Sequence, residues 1–155
     1  MASHDHGMAA SLNRLALLAT AHCLTGCAIG EVLGMVIATA LGWGNAASIA
    51  LAVVLAFVFG YSLTLVPVLR AGIPFRRAAG LALASDTLSI TTMEIVDNAF
   101  ILLVPGAMAA GLDDGLFWAS LAASLAIAFV ATFPVNRWLI ARGKGHAVVH
   151  EVYGH

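Results

Sequence analysis

Charge is what this sequence has little of. Asp, Glu, Lys and Arg make up 10% of its 155 residues, against roughly 25% in an ordinary soluble domain. Hydrophobic residues make up 61%, against roughly 45–50%. A water-soluble domain of this length could not cover itself with so little charge, so the composition reads as an integral membrane protein of one domain. No basic stripe exists, which removes nucleic acid as a partner. Two cysteines are too few for a secreted disulfide scaffold. No Walker, Rossmann or hydrolase motif occurs and no nucleophile–base pair is evident, so the chain does not read as an enzyme. The polar start, followed by an apolar run too long for a signal h-region, reads as lacking a cleavable signal peptide.

What is present is four apolar segments, roughly Leu15–Leu41, Ala46–Leu69, Ala78–Ala110 and Leu116–Ile140. Each reaches the roughly 20 residues that a helix needs to cross the hydrocarbon core. The expected fold is therefore all-α, a polytopic bundle of four transmembrane helices. Residues 1–14 read as a polar tail, 15–141 as the membrane domain and 142–155 as a histidine-containing cytoplasmic tail. The third segment is too long for a straight crossing, and Pro105-Gly106 is the expected place for a kink or an early end.

Basic residues sort to one face of a four-span arrangement: Arg14, Arg70, Arg76, Arg77, Arg137, Arg142 and Lys144. The opposite face has Asp113 and Asp114. The positive-inside rule then places both termini in the cytoplasm. Trp43 and Trp118 fall at the outer interface and Trp138 at the inner one, where amphipathic rings belong.

The two halves echo each other. Arg14 precedes Glu31 by the same spacing that separates Arg77 from Glu94, and Pro67-Val68-Leu69-Arg70 has a counterpart in Pro134-Val135-Asn136-Arg137. This reads either as two tandem parallel helical hairpins, with Glu31 and Glu94 equivalent, or as coincidence among alanine-rich helices with basic flanks.

Polar residues sit inside two of the spans. In "HCLTGCAIGE", residues 22–31, Cys23, Cys27 and Glu31 stack on one helical row. His22, Gly26, Gly30 and Gly34 form the neighbouring row, a double GxxxG pattern that lets another backbone approach. A disulfide between Cys23 and Cys27 would be strained on a regular helix. In "SDTLSITTMEIVDN", residues 85–98, Asp86, Met93 and Asp97 share one face, and Thr87, Glu94 and Asn98 the adjacent one. Three carboxylates on one span would repel unless protons or a cation offset them. Counted from Arg14 and Arg77, Cys23 lies level with Asp86, and Glu31 with Glu94. Facing each other, the two spans would gather sulfur, imidazole and carboxylate near mid-membrane. The cysteines and methionines also read as small or flexible core residues. The second and fourth spans offer little beyond Tyr61, Ser62, Thr64, Ser120 and Ser124, and read as packing partners.

The tails carry His4, His6, His146, His150 and His155. Removal of Met1 would leave Ala2-Ser3-His4, a geometry suited to copper or nickel.

The segments "HCLTGCAIGEVLGM" and "SDTLSITTMEIVDN" resemble the signature segments of a bacterial membrane family catalogued only as a domain of unknown function. The resemblance covers about residues 15 to 142. It implies a bacterial inner membrane protein and, because members often occur near or joined to copper-handling proteins, a copper context with copper proteins as partners.

The leading expectation is a protein that binds and moves a soft transition metal, copper(I) favoured, since thiolate and thioether select it. His22, Cys23, Cys27, Glu31, Met93 and Glu94 are the candidate metal ligands. Asp86, Asp97 and Asn98 would mark the ion path. A homo-oligomer packed through Gly26, Gly30 and Gly34 is expected. Two alternatives stand beside it. One is a proton or cation channel, or a proton-coupled carrier, with the acids as a relay. The other is a non-transporting membrane partner of a copper or redox enzyme.

Overall fold

The structure, a computed structural model, describes the backbone of residues 2–142 and side chains from residue 11 onward. The described residues form four α-helices: α1 Ala2–Ala40, α2 Asn45–Arg70, α3 Phe75–Leu103 and α4 Gly115–Ala141. One 3-10 turn spans Ala107–Ala109, and no strand occurs among these residues. α1 starts ahead of the apolar run. The tail histidines His146, His150 and His155 lie outside the described residues, as do the side chains of His4 and His6.

The helix ends follow from local chemistry. After α1, Gly42 takes a left-handed φ of 66°, which costs a residue without Cβ nothing. The Gly42 amide then donates to the Thr39 carbonyl at 3.1 Å and the Trp43 amide to that of Ala38 at 2.9 Å. This crossed pair closes the last turn. Gly72, with φ 84°, serves the same purpose after α2, and Pro74 then starts α3. The third apolar segment, expected to reach Ala110, stops as a helix at Leu103. Pro105 follows, and Gly106 turns the chain with φ 82°. The length conflict is thus resolved by an early end. At α4 the Asp114 carboxylate accepts from the Leu116 amide at 2.9 Å, capping an orphan donor.

Helix directions alternate, as the contacts show. Gly26 meets Gly60, Gly30 meets Ala56 and Gly34 meets Ala52, so α1 and α2 are antiparallel. A Cβ on Gly26 would stand 2.7 Å from the Gly60 Cα, too close for any side chain. α2 answers with its own buried row at every fourth position: Ser48, Ala52, Ala56, Gly60, Thr64 and Val68. Two small-residue stripes therefore interlock, the arrangement that favours close helix association in a membrane. The glycine row expected to join copies of the chain is occupied within the chain. That expectation is corrected: the small face is consumed by α2 and offers no surface to a second copy.

α4 closes the bundle against α1 and α3. The Asn136 amide donates to the Thr20 hydroxyl at 2.9 Å, and Thr20 in turn donates to the Ala16 carbonyl at 2.7 Å. At the same end the Arg137 Nε donates to Asn13 at 2.8 Å, and the Arg142 guanidinium stacks 4.6 Å from the Trp138 ring. With the α2–α3 arginines, these basic groups gather at one end of the bundle. Asp113 and Asp114 lie at the other.

The outward surface is apolar. Val54, Val58, Leu88, Ile95, Leu102, Ile127 and Val130 are exposed. Ser11–Ala40 within α1, together with α2 and α4, is long and apolar enough to cross a membrane. The chain is accordingly a multi-pass membrane protein in contact with lipid. α3 has the length, at 29 residues, but carries its acids inward and is the most polar of the four.

Candidate functional site

Both polar stripes turn to the bundle interior. Cys23, Cys27 and Glu31 on α1, and Asp86, Met93, Glu94 and Asp97 on α3, are all at most 5% exposed. The contacts advance together along the two helices: His22 stands near Asp86, Cys27 beside Glu94, and Glu31 beside Glu94 and Asp97. α1 and α3 therefore run the same way, at the relative depth that counting from the two arginines suggests.

The interior divides into three zones. Nearest the basic end, the His22 Nε2 and the Thr64 hydroxyl are 3.1 Å apart. Thr64 also adjoins Asp86, whose carboxylate accepts from the Ser85 hydroxyl at 2.8 Å. Thr64 of α2 thus bridges an imidazole and a carboxyl.

The middle zone is sulfur-rich. Cys23, Cys27 and Met93 pack in one buried cluster with Ala56, Ile90 and Ala128. Both cysteines are free thiols, and the Cys27 thiol lies against Cys23 and the Glu94 carboxyl. Alanines on α2 and α4 leave this zone as sulfur set in hydrocarbon.

The third zone is oxygen-rich. Glu31, Glu94 and Asp97 adjoin one another, and Ser124 of α4 adjoins Asp97. The Asn98 side-chain amide donates to the Glu94 backbone carbonyl at 2.9 Å and lies 3.4 Å from a Glu94 carboxyl oxygen. The Glu31 carboxyl is within hydrogen-bonding reach of the Glu94 and Asp97 carboxyls, so a shared proton can join them, but among the described residues no amide, hydroxyl or cationic donor reaches either Glu31 oxygen or Oδ1 of Asp97. No lysine or arginine lies near. Beside these groups is a cavity of about 60 Å³, lined by Glu31, Asp97, Asn98, Met35 and Ser120 among apolar residues. Negative charge gathered this way in a low-dielectric interior has to be offset by bound protons or by a cation.

The six candidate metal ligands are not one constellation. His22 belongs to the first zone; Cys23, Cys27 and Met93 to the second; Glu31 to the third; Glu94 touches both of the last two. Among the described residues no three His, Cys, Asp or Glu side chains converge as a ligand group. The hydroxyls of α3 that face outward satisfy themselves: Thr87, Thr91 and Thr92 donate to the carbonyls of Leu83, Thr87 and Leu88 at 2.6–2.8 Å. That lets a polar helix present a quiet surface.

Reading the sequence as if α2 and α4 were packing partners undervalues Thr64 and Ser124. The signal was available. Both lie on the four-residue rows of small residues that α2 and α4 bury, Ser48 to Val68 and Ser120 to Asn136.

No curated protein and no solved structure matches the chain. The model of a domain of unknown function, DUF4396, matches residues 13–145. That span takes in all three zones and nearly all of the bundle, and the chain belongs to this family.

Proposed function

We propose that the chain binds a soft transition-metal ion, copper(I) favoured, inside the bundle and carries it across the membrane. The observation that supports this is the buried cluster of Cys23, Cys27 and Met93, with two free thiols and a carboxyl against one of them. Two thiolates and a thioether form a soft donor set. Glu94 would offset charge or accept the proton that a thiol gives up on ligation. His22 with Asp86 would line the approach from the basic end, and Asp97 with Asn98 the exit at the other.

In this reading α3 is the fourth span, its acids sheltered by the other three helices, and the two hairpins run parallel. Both termini are cytoplasmic, because the arginines gather at that end, and the membrane is a bacterial inner membrane. Any homo-oligomer forms through a face other than the glycine row. The test is metal content after isolation without chelator. Wild type should retain copper, or Ag(I) as its stand-in, and Cys23→Ser/Cys27→Ser should not. Equal metal in both ends the proposal.

A second reading has its own observation. The buried Glu31 carboxyl is within hydrogen-bonding reach of Glu94 and Asp97, and the three continue a row of acids that could pass protons or a cation. Proton flux in liposomes free of transition metal, undiminished by loss of both cysteines, would favour it.

A further inference from the structure

Most helix hydroxyls in this bundle satisfy themselves. Thr20, Ser62, Thr87, Thr91 and Thr92 each donate to the carbonyl four residues back, the usual outlet for a hydroxyl with no water near. Ser89 of α3 and Thr132 of α4 do not. Ser89 is 2% exposed and Thr132 0%. Both hydroxyl oxygens are buried with no hydrogen-bond partner among the described residues. Each therefore carries the uncompensated cost of leaving water.

The packing register sets these two hydroxyls opposite each other. Where antiparallel helices pack along every fourth residue, four residues forward on one meet four residues back on the other. The α1–α2 seam obeys this. Gly34 meets Ala52, Gly30 meets Ala56 and Gly26 meets Gly60; one step further, His22 and Thr64 are 3.1 Å apart. On the α3–α4 seam, Asp97 adjoins Ser124, and Met93 shares the sulfur cluster with Ala128. The next step brings Ser89 across from Thr132. Ser89 follows Arg77 at the distance at which Gly26 follows Arg14. Glycine there lets the first hairpin close backbone to backbone, whereas serine sets a hydroxyl in the second. The two hydroxyls do not bond each other, and one group held between them would satisfy both. Neither carries a charge to hold an ion. Each can donate and accept, and two polar partners are enough to keep a buried water.

We infer that Ser89 and Thr132 hold a buried water in the α3–α4 seam, and that this water is the polar step between Asp86 and the sulfur cluster. The water site stands on register and burial; its place on a metal route rests on the soft-metal reading. Asp86, Ser89, Met93 and Asp97 all lie on the buried side of α3. A cation moving from Asp86 to Met93 without an oxygen between would pass through hydrocarbon. The water lets it change ligands one at a time.

The test uses the full chain in detergent. Ser89→Ala and Thr132→Val each take one partner from the water and leave the other hydroxyl orphaned, so each should melt below wild type. The double variant should melt no lower than the worse single, because both hydroxyls serve one water. If the two effects simply add, or if each single variant melts above wild type, the inference is overturned. A crystallographic map fine enough to show water should have a peak within hydrogen-bond distance of both oxygens. An empty gap, or a direct Ser89–Thr132 bond, overturns it as well. Stopped-flow loading with Ag(I) tests the route. The double variant should load about tenfold more slowly and reach the same final metal content, since its thiols are intact. Equal loading rates overturn the route. A wild type that retains no metal contradicts the soft-metal reading instead, and the melts and the map still decide the water.

Discussion

Glu31 is the residue that stability alone would not keep. It is buried among other acids, and no amide, hydroxyl or cationic donor reaches its oxygens. Replacing a buried, poorly compensated polar group by an apolar one of similar size is often neutral or stabilising. Glu31→Met is therefore expected to raise the melting midpoint of the purified protein while weakening ion binding or flux. A fall in the midpoint would mean that Glu31 has a compensating partner and acts as glue. That the acids and thiols point inward was legible in the sequence, because spacings of four, seven and eleven put them on narrow faces of two helices. Their sorting into sulfur and oxygen zones was not legible. Depth along a helix follows from counting, but which neighbour intrudes depends on how each helix is rotated. Ala56 and Ala128 beside the thiols, and Ser124 beside Asp97, decide that sorting.

At the scale of the helices, the α1–α2 seam carries the architecture. Gly30 lies against the Ala56 backbone so closely that a Cβ has no room. Gly80 on α3 is helical too, yet nothing stands within 4 Å of a Cβ built there. The same substitution should thus have opposite signs. Gly80→Ala is expected to stabilise by about 0.5–1 kcal/mol through helix propensity. Gly30→Ala is expected to destabilise by about 1–3 kcal/mol through overpacking, with thermal or denaturant melts in detergent as the readout. A neutral Gly30→Ala would argue against the seam. The helix ends were readable, since Gly42, Pro105-Gly106 and Asp114 all mark boundaries. The partner of the glycine row was not. A small-residue stripe declares that some backbone comes near without saying whose, and the complementary row on α2 is masked by its bulky neighbours.

For the molecule as a whole, alternating helix directions put the arginines at one end and Asp113 and Asp114 at the other. If α3 spans the bilayer, cysteines introduced at the two ends of a thiol-free background should label from opposite sides. Arg76→Cys should react only with reagent admitted to the cytoplasm, and Asp113→Cys with reagent added outside. Labelling of both from one side would break the four-span topology. The proposed function requires more than topology, because it asks an apolar bundle to hold an ion with sulfur. The most direct measurement is X-ray absorption on the purified protein loaded with Cu(I). The account predicts a sulfur-dominated first shell that disappears in Cys23→Ser/Cys27→Ser. A first shell of nitrogen and oxygen alone, the same in both proteins, would contradict it.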